Sequence, residues 1–479
     1  MLVIPYSKIL RNGLEYVALI VIMILIVIQG EIFMKDLTHG YPAKIIIMFT
    51  IPIMLGYILQ QLYSLVDSKI VSEYVGPDAL AAIGATVVVS NLIIGFINGL
   101  TQGFAIPIAN SFGAKDMERL RKNVAGTILL TFGVAVLMTV LSLVFIEDIL
   151  IALGTPIEIR QDALDYVNII LAGIILTAIY NCSSNILRAV GNSKVSLYCL
   201  MVAVVANIGL DLLFVKVWDQ GIKGAAYATI IAQAMSAFMC AGYLVIKYKE
   251  ILPKSRDFIP YHGMYGNLIT TGLSMGLMGC IVNIGTVILQ GAINDLGTNI
   301  ITAHTASRRV FDIMSVTVYT FGIAMTTFVS QNMGAGKPER VRQGVRHANI
   351  IVTIISTVLI VLVYTCARPV FQWVTSTTNP NIIDASVMYA QISVLFFYAL
   401  GPLFVFRCTL QGMGRKIVPL ISSVTEMLVK IFSAMFLVPA FAYKGVAFTE
   451  PISWVLMTII LATAYYTGKP ENYLKLQEH

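Results

Sequence analysis

Long apolar runs recur along the whole chain and decide what it can fold into. Windows of about 20 apolar residues, the length a helix needs to cross a bilayer, alternate with short breaks that contain charged residues, Gly or Pro. These breaks divide the chain into twelve spans. Their approximate ranges are 45–66, 80–106, 124–146, 163–187, 195–217, 222–247, 266–292, 300–330, 346–366, 384–408, 417–438 and 445–467. We therefore predict an all-α membrane protein with twelve transmembrane helices.

The amount and placement of charge agree with this prediction. Of the 479 residues, 57% are hydrophobic and 12% are charged, which is about half the charged fraction of a typical soluble domain. Lys and Arg collect in cytoplasmic loops, and twenty of them lie on one side of the predicted membrane against six on the other. The six are Lys69, Arg160, Lys216, Lys223, Arg368 and Lys444. We expect a multi-pass protein of the cell inner (plasma) membrane with both termini cytoplasmic, and its net charge of +7 requires no nucleic-acid partner.

The first 33 residues contain one further apolar run, VALIVIMILIVI (17–28), which at 12 residues is too short to span a bilayer comfortably. It reads as an interfacial helix, as a signal-like helix, or as sequence upstream of a start at Met34. We favour the last interpretation, because MKDLTHGYPAK is typical of a cytoplasmic N-terminus.

The motifs of metal and nucleotide chemistry are absent from the sequence. It contains no CxxC pair, no HExxH and no Walker GxxxxGK[ST], and its six cysteines lie within or at the edge of apolar spans. We expect no metal site, no cofactor and no enzymatic activity. Any pumping must then draw on an ion gradient or a partner protein.

Two halves of the chain resemble each other. FGAKDMERLRKNV (112–124) and MGAGKPERVRQGV (333–345) share six of thirteen residues at an offset of 221, and three further stretches follow at offsets of 221–223. Each half has six spans, and six is even, so the halves are parallel and related by a pseudo-twofold axis along the membrane normal. This predicts an N-terminal lobe at 34–250, a cytoplasmic linker at 251–265 and a C-terminal lobe at 266–479, a plan that recurs among secondary transporters.

Carboxylates within apolar spans are costly and mark candidate functional sites. Asp211 interrupts the run VANIGLDLLFV, and Asp67 ends IPIMLGYILQQLYSLVD. A simpler interpretation treats Asp211 as a satisfied polar residue that holds helices together with Asn207. Asp67, followed by Ser68 and Lys69, also fits a solvated helix end.

Several motifs together resemble the multidrug and toxic compound extrusion (MATE) transporters. They are LYSLVDSKIVSEYVGPDALAAIGA, FGAKDMERLRK, NILRAVGNSK and NIGLDLLFV…GIKGAAYAT, and the resemblance covers about residues 34–467. The chain is most similar to the DinF-like branch. The resemblance implies twelve helices in two lobes and influx of a proton or cation in exchange for export of a drug-like molecule.

The resemblance also implies a cation- or proton-binding network in the N-terminal lobe. The matching positions are Asp67, Asp211, Asn207, Gln60, Thr229, Asn181 and Ser184. Helical arithmetic places Asp67, Asp211 and Thr229 in the outer halves of their spans and Asn181 deeper. Both a proton and Na⁺ suit such oxygen ligands, and the sequence leaves the choice open.

Another branch of the family carries carboxylates on its seventh and tenth helices. This chain lacks them, because its seventh span contains no acid and its tenth has only Asp384 at one edge and Arg407 at the other. Other charged residues within the spans of the C-terminal lobe are candidates for lining a substrate cavity. They are Arg308, Asp312, Glu426, Lys430 and Glu450. Two of them, Glu426 and Lys430, are four residues apart on the eleventh span and also fit a structural ion pair. We expect a monomer in the lipid bilayer that exports cationic or amphipathic molecules by alternating access.

Two other functions would place different demands on these residues. A flippase for lipid-linked saccharides would need a more cationic cavity, of which adjacent Arg308 and Arg309 are a hint. An intramembrane aspartyl protease would need Asp67 and Asp211 within a few Å and a motif such as GxGD, whereas the segment reads NIGLD.

Overall fold

The computed structural model describes residues 36–375, 377 and 379–468, and the predictions for residues 1–33 lie outside this part of the chain. Its long helices follow the predicted spans one by one. They are α1 (Pro42–Tyr74), α2 (Pro77–Gly113), α3 (Met117–Ala152), α4a (Ile157–Ala172), α4b (Ile174–Ala189), α5 (Lys194–Asp211), α6 (Gly221–Lys247), α7 (Met264–Asn294), α8 (Thr298–Gly334), α9 (Pro338–Thr375), α10a (Pro380–Leu395), α10b (Phe397–Gly412), α11 (Ile417–Phe432) and α12 (Tyr443–Thr467). Among the described residues no β-strand occurs.

Ten helices are long and apolar enough to cross a membrane when α5 is counted through Val217 and α11 through Phe441. The pairs α4a–α4b and α10a–α10b complete twelve if each counts as one span. This confirms the predicted all-helical fold with twelve spans. Most helices extend beyond the predicted windows, and α9 has 38 residues, about 57 Å at 1.5 Å per residue. Helical hydrogen bonding continues past the apolar window because polar ends of a helix are satisfied in the interface and in water.

Four interruptions of the helices were not predicted. The chain bends by 41° between α4a and α4b and by 51° between α10a and α10b. A Cβ at Gly173, the first break, would overlap Cδ1 of Ile230, so the glycine lets the bent helix pack closely on α6. The fifth and eleventh spans continue as π-helical turns at Leu212–Val217 and Ser433–Leu437, and such turns are common near functional sites.

The same interruptions occur in both halves at matching positions. The bounds of α4a and α4b become those of α10a and α10b when 223 is added to each residue number, and α5 and α11 begin 223 residues apart. Two stretches with the same sequence of straight, bent and π-helical elements support the predicted internal repeat.

The residues group into two compact units. The described part of unit 1 comprises Leu55–Ile108 and Met117–Ile269, and that of unit 2 comprises Asp36–Met54, Ala109–Asp116 and the residues from Thr270 onward. Unit 1 has an apolar core formed by α1–α4b, the π-helical turn after α5, and α6, and this core includes Val71, Ala82 and Leu171. The lobe boundaries drawn from the repeat stay a prediction.

The predicted linker is partly folded within unit 1. Ser255–Phe258 forms a 3₁₀ turn, and the buried Asp257 carboxylate accepts hydrogen bonds from the Lys254 N–H at 2.8 Å and from Arg121 Nε at 3.1 Å. Burial by itself raises the pKa of Asp257, but the Lys254 N–H and the Arg121 guanidinium outweigh it, so the pKa is lowered from 3.8.

Candidate functional site

Asp67 and Asp211 come together inside unit 1. Asp67 lies in the C-terminal part of α1, and Asp211 is the last residue of α5 before its π-helical turn. Asp211 is fully buried and Asp67 is 9% exposed, and the two carboxyl groups are close enough for a hydrogen bond between them. Two ionised carboxylates at this separation repel each other, so the pair requires a proton or another cation.

Each acid of this pair also has an unused oxygen. The Oδ1 atoms of Asp67 and Asp211 are buried and have no hydrogen-bond partner among the described residues. A buried polar atom without a partner is costly, so these two oxygens indicate a site for a ligand that supplies positive charge or a donor.

Asn207 and Thr229 complete the group. Oriented so that its amide meets complementary partners, Asn207 donates from Nδ2 to Asp211 Oδ2 at 2.8 Å and accepts from the Thr229 N–H at 3.3 Å. Asn207 is one helical turn before Asp211 and therefore shares its face of α5. Both side chains are buried. We name Asp67, Asp211, Asn207 and Thr229 the carboxylate site.

Two tyrosines that the sequence reasoning missed lie beside the carboxylate site. The hydroxyl of Tyr63, one turn before Asp67, is 3.4 Å from Thr229 Oγ1. Tyr166 of α4a interacts electrostatically with Asp67, Asp211 and Tyr63. The spacing of four residues between Tyr63 and Asp67 is a signal that the sequence did contain, whereas no local pattern points to Tyr166.

The structure does not bring the other three predicted residues to the carboxylate site. Gln60 is exposed, two turns from Asp67 along α1. Asn181 is half-buried on α4b. Ser184 donates to Ser196 Oγ at 2.8 Å, and Ser196 is fifteen residues before Asp211, about 22 Å along α5. Matching a motif does not reveal depth along a helix, and the membership of these three residues in a cation-binding network stays a prediction.

The candidate cavity residues of unit 2 form two separate clusters. In the first, Arg308 Nη1 donates to Glu450 Oε1 at 2.6 Å and Arg308 Nη2 to Asp312 Oδ1 at 3.2 Å. Tyr389 also hydrogen-bonds Arg308, and the guanidinium lies 4.8 Å from the ring centroid of Phe311. Glu450 and Asp312 of this cluster are therefore paired with the positive charge of Arg308.

The second cluster contains the predicted pair on α11. Lys430 Nζ donates to Glu426 Oε1 and to Thr286 Oγ1, both at 2.9 Å. Arg407 of α10b adds a second cation, with its Nη2 3.9 Å from Glu426 Oε2. We name Arg407, Glu426 and Lys430 the basic cluster. In neither unit do three or more His, Cys, Asp or Glu side chains of the described part gather as metal ligands.

Twelve spans, a repeated six-helix pattern and a buried pair of acids in one unit define a polytopic membrane transporter. The MatE family model matches residues 52–213 and 275–436, which is more than half of the chain and again has an offset of 223. The chain belongs to this family of MATE transporters, whose members are transporters and not enzymes. The proximity of Asp67 and Asp211 meets one condition for an aspartyl dyad, but the family excludes that function.

Curated relatives and solved structures agree with this assignment. The chain is 28% identical over 386 residues to the probable multidrug resistance protein YoeA of Bacillus subtilis, covering 79% of this chain and 82% of YoeA. It is 30% identical to the probable multidrug resistance protein YpnP of the same organism, covering 64% of this chain and 68% of YpnP. A crystal structure of MATE in complex with MaL6 has the same fold, with a TM-score of 0.85, 23% identity and coverage of 94% and 100%. These matches do not favour the flippase alternative, and the assignment to the DinF-like branch stays a prediction.

Proposed function

We propose that this chain is a secondary active efflux transporter that exports cationic or amphipathic small molecules in exchange for protons or sodium ions. In this proposal Asp67 and Asp211 hold the coupling ion, and the lobes alternate in opening the pathway to either side of the membrane. The observation that carries it is the buried pair of carboxylates, each with an oxygen that no described residue satisfies.

The chemistry of the carboxylate site suits exchange of one positive charge for another. A proton held between the two acids removes their repulsion and makes one carboxyl group a donor. Na⁺ is a hard cation and prefers the same carboxylate, amide and hydroxyl oxygens. A positively charged substrate that reached the site would compete with either ion, and competition of this kind couples the two fluxes.

The class of substrate is supported by the relatives. YoeA and YpnP are both described as probable multidrug resistance proteins. The chain also has 21 Met and 22 Phe residues, and adaptable Met side chains suit binding of varied apolar molecules.

The test is ethidium accumulation in everted membrane vesicles whose interior is either acidic or loaded with sodium. The variant is Asp211→Asn, and the matched control is Asp384→Asn, which changes an exposed aspartate of unit 2. We expect wild type to respond to one gradient. We expect Asp211→Asn to lose at least about tenfold in initial rate, because a carboxamide neither releases a proton nor offers negative charge.

Each result has a defined meaning. Loss in Asp211→Asn with near-normal accumulation in Asp384→Asn supports the proposal, and the gradient that drives wild type names the ion. Unchanged accumulation in Asp211→Asn contradicts coupling at this acid. Failure of wild type under both gradients contradicts the export of organic cations by either exchange.

A further inference from the structure

The basic cluster of unit 2 holds more positive than negative charge within membrane-spanning helices. Arg407 and Lys430 contribute two cations, and Glu426 contributes one carboxylate. Their side chains are 11%, 3% and 12% exposed, in that order. A net positive charge buried in a membrane protein is costly, and such groups usually serve a substrate or ion pathway.

The excess charge lies on Arg407. Glu426 Oε1 accepts a hydrogen bond from Lys430 Nζ at 2.9 Å. Arg407 Nη2 is 3.9 Å from Glu426 Oε2, which is beyond hydrogen-bonding distance. Arg407 Nη2 instead meets the sulfur of Met457 at 3.1 Å, and a thioether is a weak acceptor. The Nε of Arg407 is buried without a partner among the described residues.

The repeat shows that this fold does not require charge at these positions. At an offset of 223 the counterparts in unit 1 are Ser184 for Arg407, Ala203 for Glu426 and Asn207 for Lys430. The Glu426–Lys430 pair is neutral as a whole and is spaced at i, i+4, so it can stabilise the helix without Arg407. Arg407 is the additional charge, and it retains some exposed surface.

We propose that the basic cluster binds an anionic group, a carboxylate or a phosphate, of the transported molecule. A guanidinium presents its donors as a planar fork that matches both groups in two-point contact. Building on the proposed efflux function, this adds to the cationic substrates amphipathic molecules that carry an anionic group beside their cationic or apolar parts. Unit 1 supplies the carboxylate site for positive charge, and unit 2 supplies the basic cluster for negative charge.

The test compares matched dyes on the purified full-length protein. Rhodamine 110 carries a free carboxylate, and rhodamine 123 is its methyl ester, so fluorescence polarisation reports the contribution of the carboxylate. Riboflavin 5′-phosphate and riboflavin form the corresponding pair for phosphate. The variants are Arg407→Gln and Arg407→Lys, with Arg368→Gln as the control at an exposed arginine of unit 2.

We expect wild type to bind the anionic member of at least one pair about tenfold more tightly than its neutralised partner, since hydrogen bonds between charged groups are strong. Arg407→Gln should lose that preference through weaker binding of the anionic member only. Arg407→Lys should keep only part of it, because its ammonium retains the charge but lacks the planar fork, and Arg368→Gln should resemble wild type. The pair that shows the preference identifies the group as carboxylate or phosphate.

Other outcomes overturn the inference. No preference in wild type, absence of binding of either anionic dye, or equal loss of both dyes in Arg407→Gln would each refute an anion site at Arg407. If Arg407→Gln does not elute as a folded protein, a weaker preference in Arg407→Lys than in wild type supports the site, and a preference equal to that of wild type refutes two-point contact by Arg407. Ethidium accumulation distinguishes failure of this inference from failure of the proposed efflux function. Ethidium has no anionic group, so its transport depends on the coupling ion and not on binding of an anion at Arg407.

Discussion

At the scale of single residues, Asn207 determines how Asp211 is held. Its amide donates to Asp211 and accepts from the backbone of Thr229, and thereby joins α5 to α6. We expect Asn207→Ala to lower the transport rate about tenfold or more, because a hydrogen bond to a charged group contributes about 1.5–3 kcal/mol. Initial rates of ethidium accumulation under the driving gradient measure this.

Asn181→Ala is the matched control, since Asn181 is an asparagine of unit 1 that motif matching assigned to the same network. The structure leaves its side chain half-buried on α4b. It should transport at nearly the wild-type rate. An equal loss in both variants would show that the network extends to α4b.

The sequence identified the members of the carboxylate site that share a short stretch of helix. Asp211 and Asn207 are one turn apart, and Thr229 follows on the next helix, so spacing and order placed them together. Tyr166 is brought to the site from α4a only by tertiary packing, which the periodicity of the sequence does not predict. The distance of Ser184 from Asp211 is likewise set by how α4b packs against α5, so its part in the network stays a prediction.

At the scale of elements, the sequence predicted the spans well because a bilayer imposes both their length and their apolar character. It did not predict the bends or the π-helical turns. The break after α4a depends on how closely Gly173 approaches Ile230, and the corresponding break in the other half occurs at Phe396, which is no helix breaker. Such features follow from packing between helices, which composition along one helix does not encode.

The linker before α7 provides a pH-dependent prediction. The pKa of Asp257 is lowered in the folded protein by the Lys254 N–H and Arg121, against the raising effect of burial. Its stabilisation is therefore fully present above pH 3.8 and is lost as pH falls through the lowered pKa. We expect Asp257→Asn to melt at a lower temperature than wild type at pH 7, and the difference to shrink below about pH 4 as wild-type Asp257 protonates.

Thermal unfolding of the detergent-solubilised protein from pH 7 to pH 3 measures this difference. Asp295→Asn is the control, because Asp295 is exposed in the connection between α7 and α8. It should follow wild type at every pH. A difference for Asp257→Asn that stays constant with pH would show that the ionised form of Asp257 is not what stabilises the linker.

At the scale of the whole molecule, two units built from the same repeat hold different arrangements of buried charge. Unit 1 holds an acid pair without a described cation at hydrogen-bonding distance, and unit 2 holds Arg308 against its acids and an excess cation at Arg407. Thr229 of the carboxylate site corresponds to Glu450 in the repeat. Duplication therefore preserved the helical plan while the buried charges diverged, and this divergence is why we propose different ligands for the two units.

The different buried charges of the two units predict that the coupling ion binds in unit 1 alone. Glu450 already has a permanent cation, because Arg308 Nη1 donates to it at 2.6 Å and the Glu450 side chain is 12% exposed. Glu450→Gln should leave the driving ion of ethidium accumulation unchanged. It should lower the melting temperature, since weakening a hydrogen bond to a charged group costs about 1–3 kcal/mol and Asp312 remains to pair with Arg308. If Glu450→Gln instead removes the dependence on the gradient while Asp211→Asn does not, the coupling ion binds in unit 2 and the assignment of charge to the two units is reversed.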